Sequence, residues 1–118
     1  MKELIVLQHI NREGPGLFSK VALKLGFNLN IIRLDLGDQL PKLTSDKSIL
    51  ILGGPMGLND IKNPSYNWMT DEVEFIKKAI DLRIPMIGVC LGAQLIAFAA
   101  EGSVIKLTDK DSLEEINE

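Results

Sequence analysis

The chain has 118 residues, with 13 basic and 16 acidic side chains giving a formal charge of −3, and 46% of its residues are hydrophobic. A chain of this size and balance is expected to form one soluble, mildly acidic domain that buries roughly two-thirds of its unfolded surface without a disulfide or metal. The single cysteine excludes a disulfide scaffold, and no run approaches the roughly 20 apolar residues of a membrane span.

Met1-Lys2-Glu3 leads into a strand-like run with neither a cationic leader nor a small-residue cleavage site, so a reducing cytoplasmic setting without a membrane partner is expected. Residues 108–118 hold five acids and one lysine and read as a solvated acidic tail, which leaves residues 1–107 nearly neutral. Neither part offers the clustered basic surface that a phosphate backbone demands, so nucleic acid is not an expected partner.

Leu4–Leu7 reads as a short buried strand, followed by the turn signal Gly14-Pro15-Gly16. Leu17, Val21 and Leu25 recur every four residues with Phe18 and Ala22 beside them and predict an amphipathic helix, capped at its C-terminus by Gly26. A strand is expected at Leu29–Leu34, a polar connection at Gly37–Ser48, and a third strand at Ile49–Leu52. From Gly53 to about Tyr66 no periodicity is visible, and irregular loops of that length are commonly functional. Met69, Val73, Ile76 and Ile80 mark one face of a helix whose first turn suits Asp71 and Glu72. A strand at Ile84–Val89 then runs into a helix from Leu91 to about Gly102, with a short fifth strand expected at Ser103–Leu107. Apolar strands alternating with helices predict an α/β domain over residues 1–107, with a doubly wound, mostly parallel, flavodoxin-like sheet.

Gly88-Val89-Cys90-Leu91-Gly92 joins a predicted strand to a predicted helix, with glycine two residues either side of a nucleophilic side chain. This is the nucleophile-elbow pattern with cysteine in the serine position. Such a turn needs small neighbours, lifts the side chain above the sheet edge and aims the following N–H groups at it. A lone cysteine also reads as a small buried hydrophobe, and the spacing alone leaves both readings open. Gly53-Gly54-Pro55-Met56-Gly57 follows the third strand, so it shares the carboxyl edge of the sheet with Cys90, where open α/β sheets bind ligands. Its glycines permit close approach of backbone to substrate, although a plain tight turn has the same composition. The chain contains neither a Walker phosphate loop nor a dinucleotide fingerprint.

Together, Gly-Val-Cys-Leu-Gly-Ala-Gln-Leu-Ile-Ala at 88–97, Leu-Gly-Gly-Pro-Met at 52–56, and Leu-Gln-His with Glu-Gly-Pro-Gly at 7–16 resemble the class I glutamine amidotransferases. The likeness is to the free-standing, GMP-synthase-like members and extends over roughly residues 3–107. It implies that Cys90 attacks the side-chain amide of glutamine to give a γ-glutamyl thioester and ammonia, with no cofactor and no metal. It further implies an oxyanion hole from the N–H groups of Leu91 and Gly54, and substrate contacts from Gly53 and Gln94. Gln94 is the only polar side chain between Leu91 and Ala100, so an unpartnered buried role for it is costly, though capping a helix face is the plainer alternative.

The family's catalytic histidine and its orienting glutamate lie well beyond the elbow, and no histidine follows Cys90 in this sequence. The resemblance therefore covers the N-terminal part of the family domain, and a truncated domain, incomplete or inactive in isolation, is expected. His9, the only histidine, is assigned a structural or loop-anchoring role. The elbow helix is apolar nearly all round, as suits a helix covered on every side, and half a domain cannot cover it. Dimerisation, or docking on a synthetase or a C-terminal-half partner chain, is the expectation that follows. Two other readings stand beside the glutaminase: a catalytically silent homologue acting as an interaction module, and a redox sensor using Cys90.

Overall fold

The structure, a computed structural model, describes residues 2–101; the strand expected at Ser103–Leu107 and the acidic tail lie outside the described residues. Four parallel strands, β1 (Glu3–Gln8), β2 (Asn28–Arg33), β3 (Lys47–Ile51) and β4 (Met86–Gly88), form one sheet in the order β2-β1-β3-β4. Between them run α1 (Leu17–Lys24) and α2 (Trp68–Asp81), and α3 (Leu91–Glu101) follows β4. The expected doubly wound α/β architecture is present.

The central strands β1 and β3 are apolar because two faces bury them. Ile5, Leu7, Ile49 and Ile51 face α2 and α3, whose Met69, Val73, Ile76, Leu91 and Leu95 complete the larger core. Val6, Leu50 and Leu52 point the opposite way into a smaller cluster with Leu4, Leu29 and Val89. This alternation of buried side chains along β1 and β3 is the period-two pleat of a sheet covered on both sides.

Gly26, in the left-handed conformation at φ 88°, ends α1. Its N–H donates to Leu23 O at 3.1 Å and that of Phe27 to Ala22 O at 3.0 Å, the paired bonds of a Schellman cap. The same pair ends α2, where Arg83 at φ 59° occupies the position glycine fills in α1.

Several expectations need correction. The stripe Leu17, Val21 and Leu25 is exposed, and only Ala22 of α1 is buried, because this short helix packs mainly on the edge strand β2. β2 ends at Arg33, and Leu34 opens a 3-10 turn over Leu34–Leu36. β4 is three residues long rather than six, since Ile84 is tied to the end of α2 by its N–H bond to Ala79 O. The segment after Gly53 contains two 3-10 turns, Leu58–Lys62 and Pro64–Tyr66, secured by Asp60 accepting from Gly57 N–H and Asn63 accepting from Ser65 N–H. The elbow helix, by contrast, is left partly uncovered as expected of part of a domain: Leu91, Leu95 and Ala99 are buried, whereas Ala93, Gln94, Ala97 and Phe98 are exposed.

Candidate active site

Parallel strands bring His9 after β1, Gly53 after β3 and Cys90 after β4 to one carboxyl edge. Cys90 is exposed and has φ 51°, a left-handed conformation that costs a non-glycine residue on the order of 1–3 kcal/mol. Its surroundings hold it there. Val89 N–H donates to Ile51 O at 2.9 Å, prolonging the β3–β4 ladder, while Gly92 N–H donates to Val89 O and Gln94 N–H to Cys90 O as α3 starts.

The flanking glycines are sterically required. A Cβ on Gly88 would lie 2.5 Å from Gly92 C and 2.6 Å from Ala93 N, and one on Gly92 would be driven into the Ile51 carbonyl. Helix and strand thus meet backbone to backbone at the elbow. Leu91 N–H belongs to the first turn of α3, where amides have no intrahelical acceptor, so a donor follows the thiol directly.

Gly53 is buried against Cys90, a Cβ there coming within 3.3 Å of Cys90 Cβ and 3.1 Å of Glu13 Oε1. Gly54 is half-buried between His9 Cβ, Met56 Sδ and Leu91 Cδ2. A groove of about 350 Å³ opens over Cys90 and Gly53, walled by Glu13, Leu17, Phe18 and Leu52. A larger hollow of about 690 Å³ lies near Asp35, Asp38 and Asp71, and Cys90 does not line it. The smaller groove is therefore the one that the elbow cysteine lines.

The Gln8-His9 pair organises the neighbouring loops. The buried Gln8 amide donates to Ile10 O at 2.9 Å and Asn11 O at 3.3 Å, folding the segment that carries Glu13 over the sheet edge. His9 is fully buried, with Nε2 2.6 Å from Glu72 Oε2 and Nδ1 3.3 Å from Gly53 O. Burial alone would push the imidazole pKa down, but the Glu72 hydrogen bond and charge, with the Gly53 carbonyl, raise it above the usual histidine value. Glu72 Oε1 has no hydrogen-bond partner among the described residues, so this buried carboxylate depends on His9.

Of the two acids expected in the first turn of α2, only Asp71 lies there, and Glu72 follows it fully buried. Its spacing after Met69 and before Val73 and Ile76 puts it on the buried face of α2, a signal visible in the sequence. Glu13 was also missed as a groove residue, although it opens the Glu-Gly-Pro-Gly segment. Gln94 is exposed on α3, outside the residues lining the groove, so the argument from a buried unpartnered amide does not apply to it. Among the described residues no group of three or more His, Cys, Asp or Glu side chains is placed to hold a metal ion, and no helix is long and apolar enough to cross a membrane.

The sequence pattern of the family described as "Glutamine amidotransferase class-I" matches residues 17–116. The chain belongs to the class I glutamine amidotransferase family. It is 34% identical over 84 residues to a glutamine amidotransferase-like protein of Acanthamoeba polyphaga mimivirus, covering 71% of this chain and 36% of that one. It is 35% identical over 96 residues to the carbamoyl phosphate synthase small chain of Salmonella typhi, covering 76% of this chain and 25% of that one. The crystal structure of a glutamine amido transferase from Methylobacillus flagellatus superposes with a TM-score of 0.74 at 32% identity, over 86% of this chain and 39% of that one. The chain thus spans well under half the length of these relatives.

Proposed function

We propose that this chain carries the nucleophile side of a glutaminase site, with Cys90 attacking the side-chain amide of glutamine. The observation that carries the reading is the strained φ of Cys90, held between two sterically required glycines at the mouth of a groove. Backbone strain maintained by its surroundings is characteristic of functional positions.

The thiolate adds to the amide carbon, forming the C–S bond and moving an electron pair onto oxygen. Leu91 N–H and Gly54 N–H are the proposed donors to that oxyanion. Collapse breaks the C–N bond, the nitrogen leaves with a proton as ammonia, and a γ-glutamyl thioester remains. Water then attacks the thioester, the C–S bond breaks, and glutamate leaves with the thiol restored. Gly53 forms the floor beneath the substrate. Glu13, the one charged side chain among the described residues lining the groove, suits the substrate's ammonium group. Gln94 retains a substrate contact on the strength of the motif alone.

Both ring nitrogens of His9 are engaged, so the acid and base that shuttle protons are assigned to residues other than His9. The likeness to a synthase small chain supports delivery of the ammonia to a synthetase partner.

A chloromethyl ketone analogue of glutamine tests the reading. Saturable alkylation of Cys90, located by mass spectrometry, slowed by free glutamine and absent in Cys90→Ala, is the expected result. Alkylation no faster than by plain chloroacetamide and indifferent to glutamine would refute it. Ammonia release from glutamine near neutral pH, with the same control, shows whether the chain turns over unaided. In Glu13→Gln the glutamine concentration needed for protection should rise by roughly tenfold, since a charge-assisted hydrogen bond contributes about 1.5–3 kcal/mol. Unchanged protection would remove Glu13 from substrate binding.

A further inference from the structure

The glycine loop beside Cys90 is held by a group that the reaction just described leaves unused. A carbonyl oxygen only accepts, so the 3.3 Å contact between His9 Nδ1 and Gly53 O requires the hydrogen on Nδ1. The ring cannot turn away easily. Its Nε2 is bound to Glu72 at 2.6 Å, and its face stacks on Trp68 with centroids 5.4 Å apart and planes 26° from parallel. Both His9 and Glu72 are fully buried.

The Gly53 carbonyl and the Gly54 N–H belong to one peptide unit, and none of the described peptide bonds is cis. In a planar trans peptide the C=O and N–H point in opposite directions. Gripping Gly53 O therefore fixes the direction of Gly54 N–H, which points away from the imidazole. The constraint matters because glycine on both sides leaves this peptide unusually free to rotate.

We infer that His9 is a positioning residue: its Nδ1–H holds the Gly53–Gly54 peptide in one orientation and so sets the Gly54 N–H as a preorganised donor. Glu72 and Trp68 fix the imidazole that does this. The use of the donor in catalysis rests on the glutaminase reading, whereas the orientation itself does not.

Two substitutions separate positioning from packing. His9→Asn sets its amide nitrogen near the place of Nδ1 and keeps a donor for Gly53 O, while His9→Gln sets its nitrogen near the place of Nε2 and keeps only the partner of Glu72. Both remove the imidazole and His9→Asn also leaves the buried Glu72 carboxylate without its partner, so a purely structural role predicts a loss in His9→Asn at least as large as in His9→Gln. The first readout is the Gly54 amide signal and its hydrogen exchange; the second is the Cys90 alkylation rate by the glutamine ketone divided by that by iodoacetamide, whose displacement reaction forms no oxyanion. In His9→Gln the Gly54 amide should shift and exchange faster, and the rate ratio should fall by roughly tenfold to a hundredfold, as misaligned oxyanion donors do. In His9→Asn the ratio should stay within about threefold of the unsubstituted chain, well inside the cost of losing an oxyanion donor.

A loss in His9→Asn equal to or larger than that in His9→Gln, or an unmoved Gly54 amide in His9→Gln, would overturn the inference. A Gly54 amide that responds as expected in a chain whose Cys90 ignores the ketone supports the positioning role and counts against the glutaminase reading alone. The unsubstituted protein provides a check that does not depend on either variant folding: the imidazole nitrogen spectrum must show a proton on Nδ1, and a bare Nδ1 overturns the inference.

Discussion

Gly92→Ala is expected to destabilise the protein by about 4 kcal/mol or more, a loss in the range reserved for core disruption. The added methyl would meet the carbonyl of Ile51, which cannot move aside like a flexible side chain. That carbonyl already accepts the N–H of Val89, so shifting it also disturbs the β3–β4 junction. Relief requires α3 to lift from the sheet, separating Leu91 and Leu95 from the larger core. Urea unfolding followed by circular dichroism measures the effect. Gly57→Ala is the control, since φ there is −123° and nothing lies within 4 Å of the added atom. Its stability should stay within about 0.5 kcal/mol of the parent. If Gly92→Ala unfolds at the same midpoint as Gly57→Ala, the close contact at the elbow is wrong.

The second large effect belongs to Glu72. Removing one member of a buried ion pair leaves the other desolvated without compensation, so Glu72→Ala is expected to cost about 3–5 kcal/mol. That is a large share of the roughly 5–15 kcal/mol stability of an ordinary domain. The pair also gives the protein a pH dependence of definite sign. Because the folded-state pKa of His9 is raised, its contribution is fully present below the ordinary histidine value of 6.5 and is lost as pH rises through the folded value. The unsubstituted chain should therefore weaken as the solution is made more alkaline across that window. Glu72→Gln keeps an acceptor and most of the volume but removes the charge, so it should flatten that decline. A slope unchanged by Glu72→Gln would show that this pair is not its source.

Much of the molecule is legible in local pattern. The apolar runs of β1 and β3, the periodic face of α2, and Gly26 as the cap of α1 are each decided by residues near one another in sequence. The elbow is legible for a steric reason: a strand that turns straight into a helix leaves no room for a Cβ at Gly88 or Gly92, so the backbone demand appears directly as residue type. Local pattern misleads where it specifies an apolar stripe but not what covers it. Leu17, Val21 and Leu25 have helical spacing, yet they remain exposed because α1 sits over an edge strand.

The sequence by itself determined the α/β alternation, the elbow around Cys90 and its likeness to the class I glutamine amidotransferases, because these depend on short-range periodicity and steric exclusion. Only the tertiary structure decided the strand order, the entry of Glu13 into the groove, and the meeting of His9 with Glu72, 63 residues further along the chain. Such a pairing leaves no periodic trace. It arises when adjacent parallel strands and a helix packed across them bring distant side chains into one water-free space, where each polar group must be satisfied by whatever lies within hydrogen-bonding reach.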